Sequence, residues 1–386
     1  VEFEPWLLIF VPIIFALGWL AARFDVRQLL KENKSLPDSY FKGLNFLLEE
    51  EHDKAIAAFV EVARLDPETI DLHFALGSLF RRRGEIERAI YVHQSLLSRE
   101  DLPLKDREKA LFEIAQDYLK SGMYDRAEET FKMVQSGSYA EQATRSLIHI
   151  YEIVHDWPNA IEAVNQWARL SHESIPQVIH YYCEMAQVYM STDPEKTQEY
   201  LQLAQQALKR FETPAARARL NILLAQFNAL NVLSARQYYL DILTHSPEYA
   251  GLIAPAMIQN YAHTQEQAIA FDLLEKHFMQ YPNVDLFTAV SKALYAHDPE
   301  KARQFARQAL RLMPSLLALE KTLSMEKELA SLTDDVGLLY NIIRRDSQKL
   351  DKYHCHSCGF DAKIFYWQCP GCNKWETYSP KKGELL

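Results

Sequence analysis

Four of the chain's five cysteines fall within its last 32 residues, as two CxxC pairs, Cys355/Cys358 and Cys369/Cys372, ten residues apart. Two thiolates offered by one tight turn can chelate a single ion, and two such turns complete a tetrahedral shell of four sulfurs. A residue with positive φ is often needed just after the second cysteine of each turn. Gly359 adopts it at no steric cost, and Asn373 is among the more tolerant alternatives. Zinc and iron both suit four thiolates, and the spacing does not choose between them. His354 and His356 flank the first ligand, but four thiolates already fill the shell, so both are expected at its margin or in solvent. The competing chemistry is a redox CxxC pair. Two pairs with aromatic residues between and after them favour a closed structural site. The stretch 363–367 reads as a short strand, and Phe360, Phe365, Trp367 and Trp375 are expected to form a small core. So short a segment buries too little apolar area to fold without its ion.

Other chemistry is sparse. The sequence has no GxxxxGK[ST], no HExxH and no GxSxG motif. Ser39 and Lys42 match SxxK in form, but they sit on the first helix of a repeat, and chance accounts for the match. The 13 histidines show no paired spacing. Arg81, Arg82 and Arg83 form a basic run at the end of a helix. Such a run either complements the helix dipole in a solvated turn or docks an acidic partner or lipid headgroups, and these three are the weak candidates for partner binding. Cys183, between Tyr182 and Glu184 on a helix, reads as a small buried hydrophobe.

The elements that would carry these residues recur with a period. Gly43, Phe46, Ala55, Phe59 and Pro67 shifted by 34 become Gly77, Phe80, Ala89, His93 and Asp101. That is the period of the tetratricopeptide (TPR) helical hairpin. Gly43 and Gly77 would let the two helices of a hairpin approach closely, with Ala55 and Ala89 as the matching small residues. Further units follow with drift, around Ala115 and Ala127, Tyr151 and Ala160, Ala186 and Thr197, and Ala225 and Ala235. A weak unit comes at Tyr261 and Ala268, and a clear one at Ala302, Ala309 and Pro314. Segments 315–331 and 333–350 read as a last helix pair. A single hairpin cannot bury its apolar face, so the units must stack into a solenoid, a fold that binds proteins or peptides.

Composition narrows the function. Only 11 of 386 residues are glycine, which disfavours phosphate-loop folds. The net charge is −10, and residues 35–343 alone carry −13, so nucleic acid is excluded as the main partner. Residues 344–386 are net +3, and this basic tail is expected to dock against the end of the array, or on an acidic partner, as a cap. Residues 6–22 carry no charge and as a helix would span about 26 Å, close to the roughly 30 Å hydrocarbon core. No basic region precedes this run, which argues against a cleaved signal. Arg23, Arg27, Lys31 and Lys34 follow it, placing the bulk of the chain on the cytoplasmic side of the membrane. The division expected is an anchor over 1–24, a juxtamembrane linker over 25–38, a repeat array over 39–350 and a metal module over 351–386.

This order of parts resembles the lipopolysaccharide assembly protein B (LapB) family along essentially the full chain. The repeat from Ala75 to Ala89 and the stretch Tyr366–Cys372 carry the most specific likeness. The resemblance implies an all-α TPR solenoid ending in a rubredoxin-like module, with Cys355, Cys358, Cys369 and Cys372 holding one zinc or iron ion. It also implies a non-enzymatic inner-membrane regulator of lipopolysaccharide synthesis that presents the deacetylase LpxC to the protease FtsH and answers to a regulator of the LapC/YejM type. It assigns no role to any repeat residue. The ten-residue gap between CxxC pairs is much shorter than in electron-transfer rubredoxins, which favours docking over redox work. Two further classes stay open: a general envelope-assembly scaffold that recruits synthesis enzymes, and an iron-dependent electron-transfer protein.

Overall fold

A computed structural model describes residues 19, 38–49, 51–65, 70–173, 175–327 and 334–380. The expected anchor (Trp19 apart), residues 25–37, Pro67 and the last six residues lie outside these. Among the described residues, no helix is long and apolar enough to cross a membrane. The chain divides into two compact units, Val1–Ala143 and Thr144–Leu386.

In the first unit the helices are α1 (Asp38–Leu48), α2 (His52–Leu65), α3 (Ile70–Arg83), α4 (Ile86–Leu97), α5 (Leu104–Lys120) and α6 (Tyr124–Met133). They pack as consecutive pairs, α1 on α2, α3 on α4 and α5 on α6. The 34-residue repeat is visible as contact. A Cβ on Gly43 would lie 2.5 Å from the Phe59 ring, and one on Gly77 would run into the His93 ring. Both glycines are needed because the aromatic ring 16 residues on fills the space a side chain would take. Ala55 and Ala89 are fully buried. In the next pair Ala127 and Phe131 are likewise fully buried. Gly77→Leu or Ala89→Leu should therefore overpack the hairpin, by about 1–3 kcal/mol or more. The expected outcome is loss of hydrogen-exchange protection over residues 70–97. Unchanged protection would contradict the packing argument.

The second unit takes in most of α7 (Ala140–Val154) and continues through α8 (Trp157–Ser171), α9 (Val178–Tyr189), α10 (Pro194–Leu208), α11 (Pro214–Phe227) and α12 (Val232–His245). A 3-10 turn (Pro247–Tyr249) leads to α13 (Ala250–Ala262), α14 (Gln267–Gln280), α15 (Val284–His297) and α16 (Pro299–Leu312). The expected last pair is α17 (Leu316–Lys327) and α18 (Asp334–Ser347), in mutual contact. The starts of these helices are written in the sequence. The side chains of Asp156, Asp193, Thr213, Asn231, Asn283 and Asp298 each accept a backbone N–H of the first turn. Proline follows four of these caps in the first turn, where its missing N–H costs nothing. Ala160, Ala186, Thr197, Ala225, Ala235, Ala302 and Ala309 are buried as the phase requires. The weak unit keeps the register, but through Ala270 and not the expected Ala268. Ala268 is exposed, and Ala270, two residues on, is the buried small residue, with Phe271 and Leu274 beside it. The connection is built as in the other units: Gln265 takes a left-handed conformation (φ 60°) five residues before Ala270, as Gly84, Gly122 and His155 do before Ala89, Ala127 and Ala160.

The module closes the described chain as a three-stranded antiparallel sheet in the order β2-β1-β3, from β1 (Tyr353–Cys355), β2 (Asp361–Ala362) and β3 (Tyr378–Pro380). The strand expected over 363–367 does not form. That stretch has no ladder partner among the described residues and makes only an isolated bridge just beyond it, Gln368 to Trp375.

Candidate metal centre and its docking face

Both cysteine turns are built alike. The Gly359 N–H donates to the Cys355 carbonyl at 2.9 Å, and the Asn373 N–H to the Cys369 carbonyl at 2.8 Å. The Cys355 N–H donates to the Phe360 carbonyl, and the Cys369 N–H to the Lys374 carbonyl, each at 2.9 Å. Closing so tight a loop requires positive φ at the residue after the second cysteine, and Gly359 (78°) and Asn373 (56°) supply it.

The two turns bring all four sulfurs within 4.8 Å of one another. Cys355 Sγ lies 3.8 Å from Cys372 Sγ, and Cys358 Sγ 3.6 Å from Cys369 Sγ. All four cysteines are free thiols. A tetrahedral shell with metal–sulfur bonds of about 2.3 Å places its sulfurs about 3.8 Å apart, so these residues fit a zinc or iron ion. Such an ion would cross-link the two turns. Without a cation the thiols oppose one another's ionisation. Burial works against the Cys355 thiolate, but hydrogen bonds from Thr377 and from the Cys358 and Ser357 backbone outweigh it and bring the thiol down to about 6. The Phe360 backbone favours the Cys358 thiolate, but burial and the three neighbouring thiols push it up to about 12. A divalent cation removes this conflict by displacing the protons. Neither His354 nor His356 joins the cluster. His354 Nδ1 pairs with Asp361 at 2.8 Å, and His356 is exposed.

Of the four aromatic residues expected to form the module's own core, Phe365 packs against it and the other three are placed otherwise. That core is Tyr353, Ala362 and Tyr378 with Cys355 and Cys369. Phe360 is exposed, Trp367 and Trp375 turn towards the helices, and Phe365 packs on both the module's core and the helices. Trp375 stacks on His180 of α9 at 4.7 Å and 4°. Its ring lies edge-on to Trp157, and its Nε1–H donates to Glu152 of α7 at 2.9 Å. Trp367 stacks on Tyr249 at 5.6 Å. Glu376 accepts from Thr213 at 2.7 Å, while Thr213 also caps α11, and its other neighbour is His180 Nε2 at 2.8 Å. Lys352 and the Tyr353 hydroxyl both reach Asp285 at the start of α15. Beneath the module, Arg219 is buried, ion-paired to Glu184 at 2.6 Å and 5.4 Å from the Trp375 ring. Burial holds the His180 imidazole below its usual range, against the pull of Glu376. Burial also opposes the Glu376 charge, but hydrogen bonds from His180 and Thr213 outweigh it and keep this carboxyl below the usual carboxylate range.

The basic tail therefore docks, but not as an end cap. It lies on the sides of α7, α9, α11 and α15, and mainly through aromatic stacking and hydrogen bonds. Among the described residues, one ion pair of the tail's basic side chains with the helices, Lys352 to Asp285, carries the expected charge complementarity.

The basic run is mostly occupied within the first unit. Arg81 donates to Glu113 at 2.5 Å and to Asp117 at 2.7 Å, and the buried His93 meets Asp117 at 2.6 Å. Arg83 pairs with Asp53 and Glu85, and Arg82 is exposed. The sequence held a cue to this network, since His93 stands where the preceding repeat has Phe59. Cys183 is fully buried, and burial pushes its thiol up to about 11.

Comparison with known proteins covers the whole chain. Residues 353–380 match the rubredoxin metal binding domain. Lipopolysaccharide assembly protein B of Escherichia coli (strain K12) is 26% identical over 387 residues, 98% of each chain. The protein of the same name from Haemophilus influenzae (strain ATCC 51907 / DSM 11121 / KW20 / Rd) is 27% identical over 397 residues, 97% of each chain. A tetratricopeptide repeat protein from Parabacteroides merdae ATCC 43184 aligns with 80% of this chain and 100% of its own, at 14% identity and a TM-score of 0.32. The resemblance to the lipopolysaccharide assembly protein B family thus holds along the full chain.

Proposed function

From that full-length likeness, we propose that this chain is a non-enzymatic adaptor in lipopolysaccharide assembly, tethered to the inner membrane through residues 1–24 with its bulk on the cytoplasmic side. In this reading it presents the deacetylase LpxC to the membrane protease FtsH and answers to a regulator of the LapC/YejM type. The observation that carries the reading is the union of a TPR-like helical array with a metal module docked on its helices. Repeats of this kind supply binding surface and no chemistry of their own. A zinc or iron ion held by Cys355, Cys358, Cys369 and Cys372 gives the module its fold, so the ion serves recognition. Such an adaptor acts by raising the local concentration of client at the protease.

The half-life of LpxC after a translation block is the direct test. Deleting this protein should lengthen it several-fold, and restoring the full chain should shorten it again. An unchanged half-life with altered recruitment of synthesis enzymes would instead favour the scaffold reading. An ion that cycles between redox states in step with an electron donor would favour the electron-transfer one.

A further inference from the structure

One cavity, of about 650 Å3, is walled on one side by α7 and the loop into α9 and on the other by the second cysteine turn. We propose that it is a docking pocket for a peptide segment of a protein partner, one that sets an acidic side chain beside an apolar one. The proposal rests on the adaptor reading above and gives it a contact surface.

Arg145 on α7 and Lys374 on the cysteine turn both line the cavity and are exposed. Neither makes an ion pair among the described residues. A guanidinium and an ammonium from opposite walls suit a carboxylate, which the guanidinium can take by two parallel hydrogen bonds. The floor beside them is apolar, with Ile148 and Trp167 buried under the rim. Of the two carboxylates in the lining, Glu152 already accepts the Tyr181 hydroxyl at 2.6 Å and the Trp375 indole at 2.9 Å. Glu173 stands exposed at the rim. This mixed lining chooses among anions. An anionic phospholipid headgroup brings a phosphate charge that would face Glu173 in repulsion. A peptide brings backbone N–H donors for Glu173 together with its carboxylate for Arg145 and Lys374. Because one wall belongs to the cysteine turn, the pocket exists only while the module is folded and docked, which links metal occupancy to partner binding.

The test uses the full-length, metal-loaded protein on an array of random dodecapeptides. Bound sequences should be enriched in Asp or Glu next to an apolar residue. Replacing the acid of a bound peptide by its amide should weaken it about tenfold, as should Arg145→Ala or Lys374→Ala, with metal content unchanged. Arg145→Lys should retain part of the affinity, and chelating the metal should abolish binding. No binding, no acidic enrichment, indifference to both alanine variants, or preference for phosphatidylglycerol vesicles over peptides would each overturn the proposal. If these results fail while LpxC lifetime still depends on this chain, the pocket is wrong and the adaptor reading stands. The converse pattern overturns the adaptor reading alone.

Discussion

Cys355→Ser should release the ion, unfold residues 351–380 and leave the helices folded. Cys355 is fully buried, and its sulfur sits 3.8 Å from that of Cys372, so its loss removes one quarter of the shell and the link between the turns. In small metal-held domains the binding free energy is folding free energy, about 10–16 kcal/mol for a structural zinc site. The module has little to set against that loss. Its own core is three side chains and two of the cysteines, on a sheet whose longest strands have three residues. The helices of the second unit have their own core around Phe271, Phe278, Phe287 and Phe305, against which the module lays only Phe365 and Trp367. Metal analysis, far-ultraviolet circular dichroism and limited proteolysis read the three parts separately. The expected pattern is metal lost, helicity near normal and new cleavage close to Lys352. Regulation of LpxC should fail with it. A variant that keeps a full equivalent of metal, or regulates normally without one, would contradict both the shell and its role.

How far this could be seen beforehand depended on whether the cause was local. The cysteine turns were legible because the requirement is contained in a few residues, two thiols and a positive φ, and Gly359 and Asn373 stand at the required positions. The hairpins were legible because Gly43 and Gly77 report a contact made 16 residues away at a fixed period. Ala268 misled because the left-handed position that precedes the second helix is here Gln265, so no glycine marks the phase that makes Ala270, nine residues after Tyr261, the buried small residue. The docking face was hidden for a different reason. His180 lies nearly 200 residues from Trp375 and Glu376 along the chain, and nothing in either segment names the other. Reading the aromatics around the cysteines as the module's own core was reasonable from composition. It held for Phe365 and failed for Trp367 and Trp375, because large apolar side chains in so small a module find more area to bury on the neighbouring helices than on each other. Arg81 was equally opaque, since a basic residue at a helix end looks the same whether it faces water or Asp117 of the next hairpin.

Trp375→Ala should separate docking from metal binding. The indole is buried, stacked on His180 and bonded to Glu152, but it is not a ligand, so the ion should stay. Truncating a buried tryptophan costs about 3–5 kcal/mol, and here the cost falls on the contact between module and helices. It also admits water to the Arg219–Glu184 pair beneath the indole. Hydrogen exchange should rise in α9 and α11 while metal stoichiometry holds. A double-mutant cycle with His180→Ala should show strong coupling, because the two rings are in direct contact. Acid should act in the same direction. His180 is held below its usual range when docked, so the undocked state binds the extra proton, and docking weakens as pH falls below about 6.5. Glu376 is also held low, so its share is present above the ordinary carboxylate range and is lost as pH falls through it. Both shifts predict that the docked form is favoured at neutral pH. If LpxC turnover fails in Trp375→Ala despite a full complement of metal, the ion matters through the surface it holds against the helices. If turnover is normal in an undocked variant, the module works on its own and the docked face is not the regulatory one.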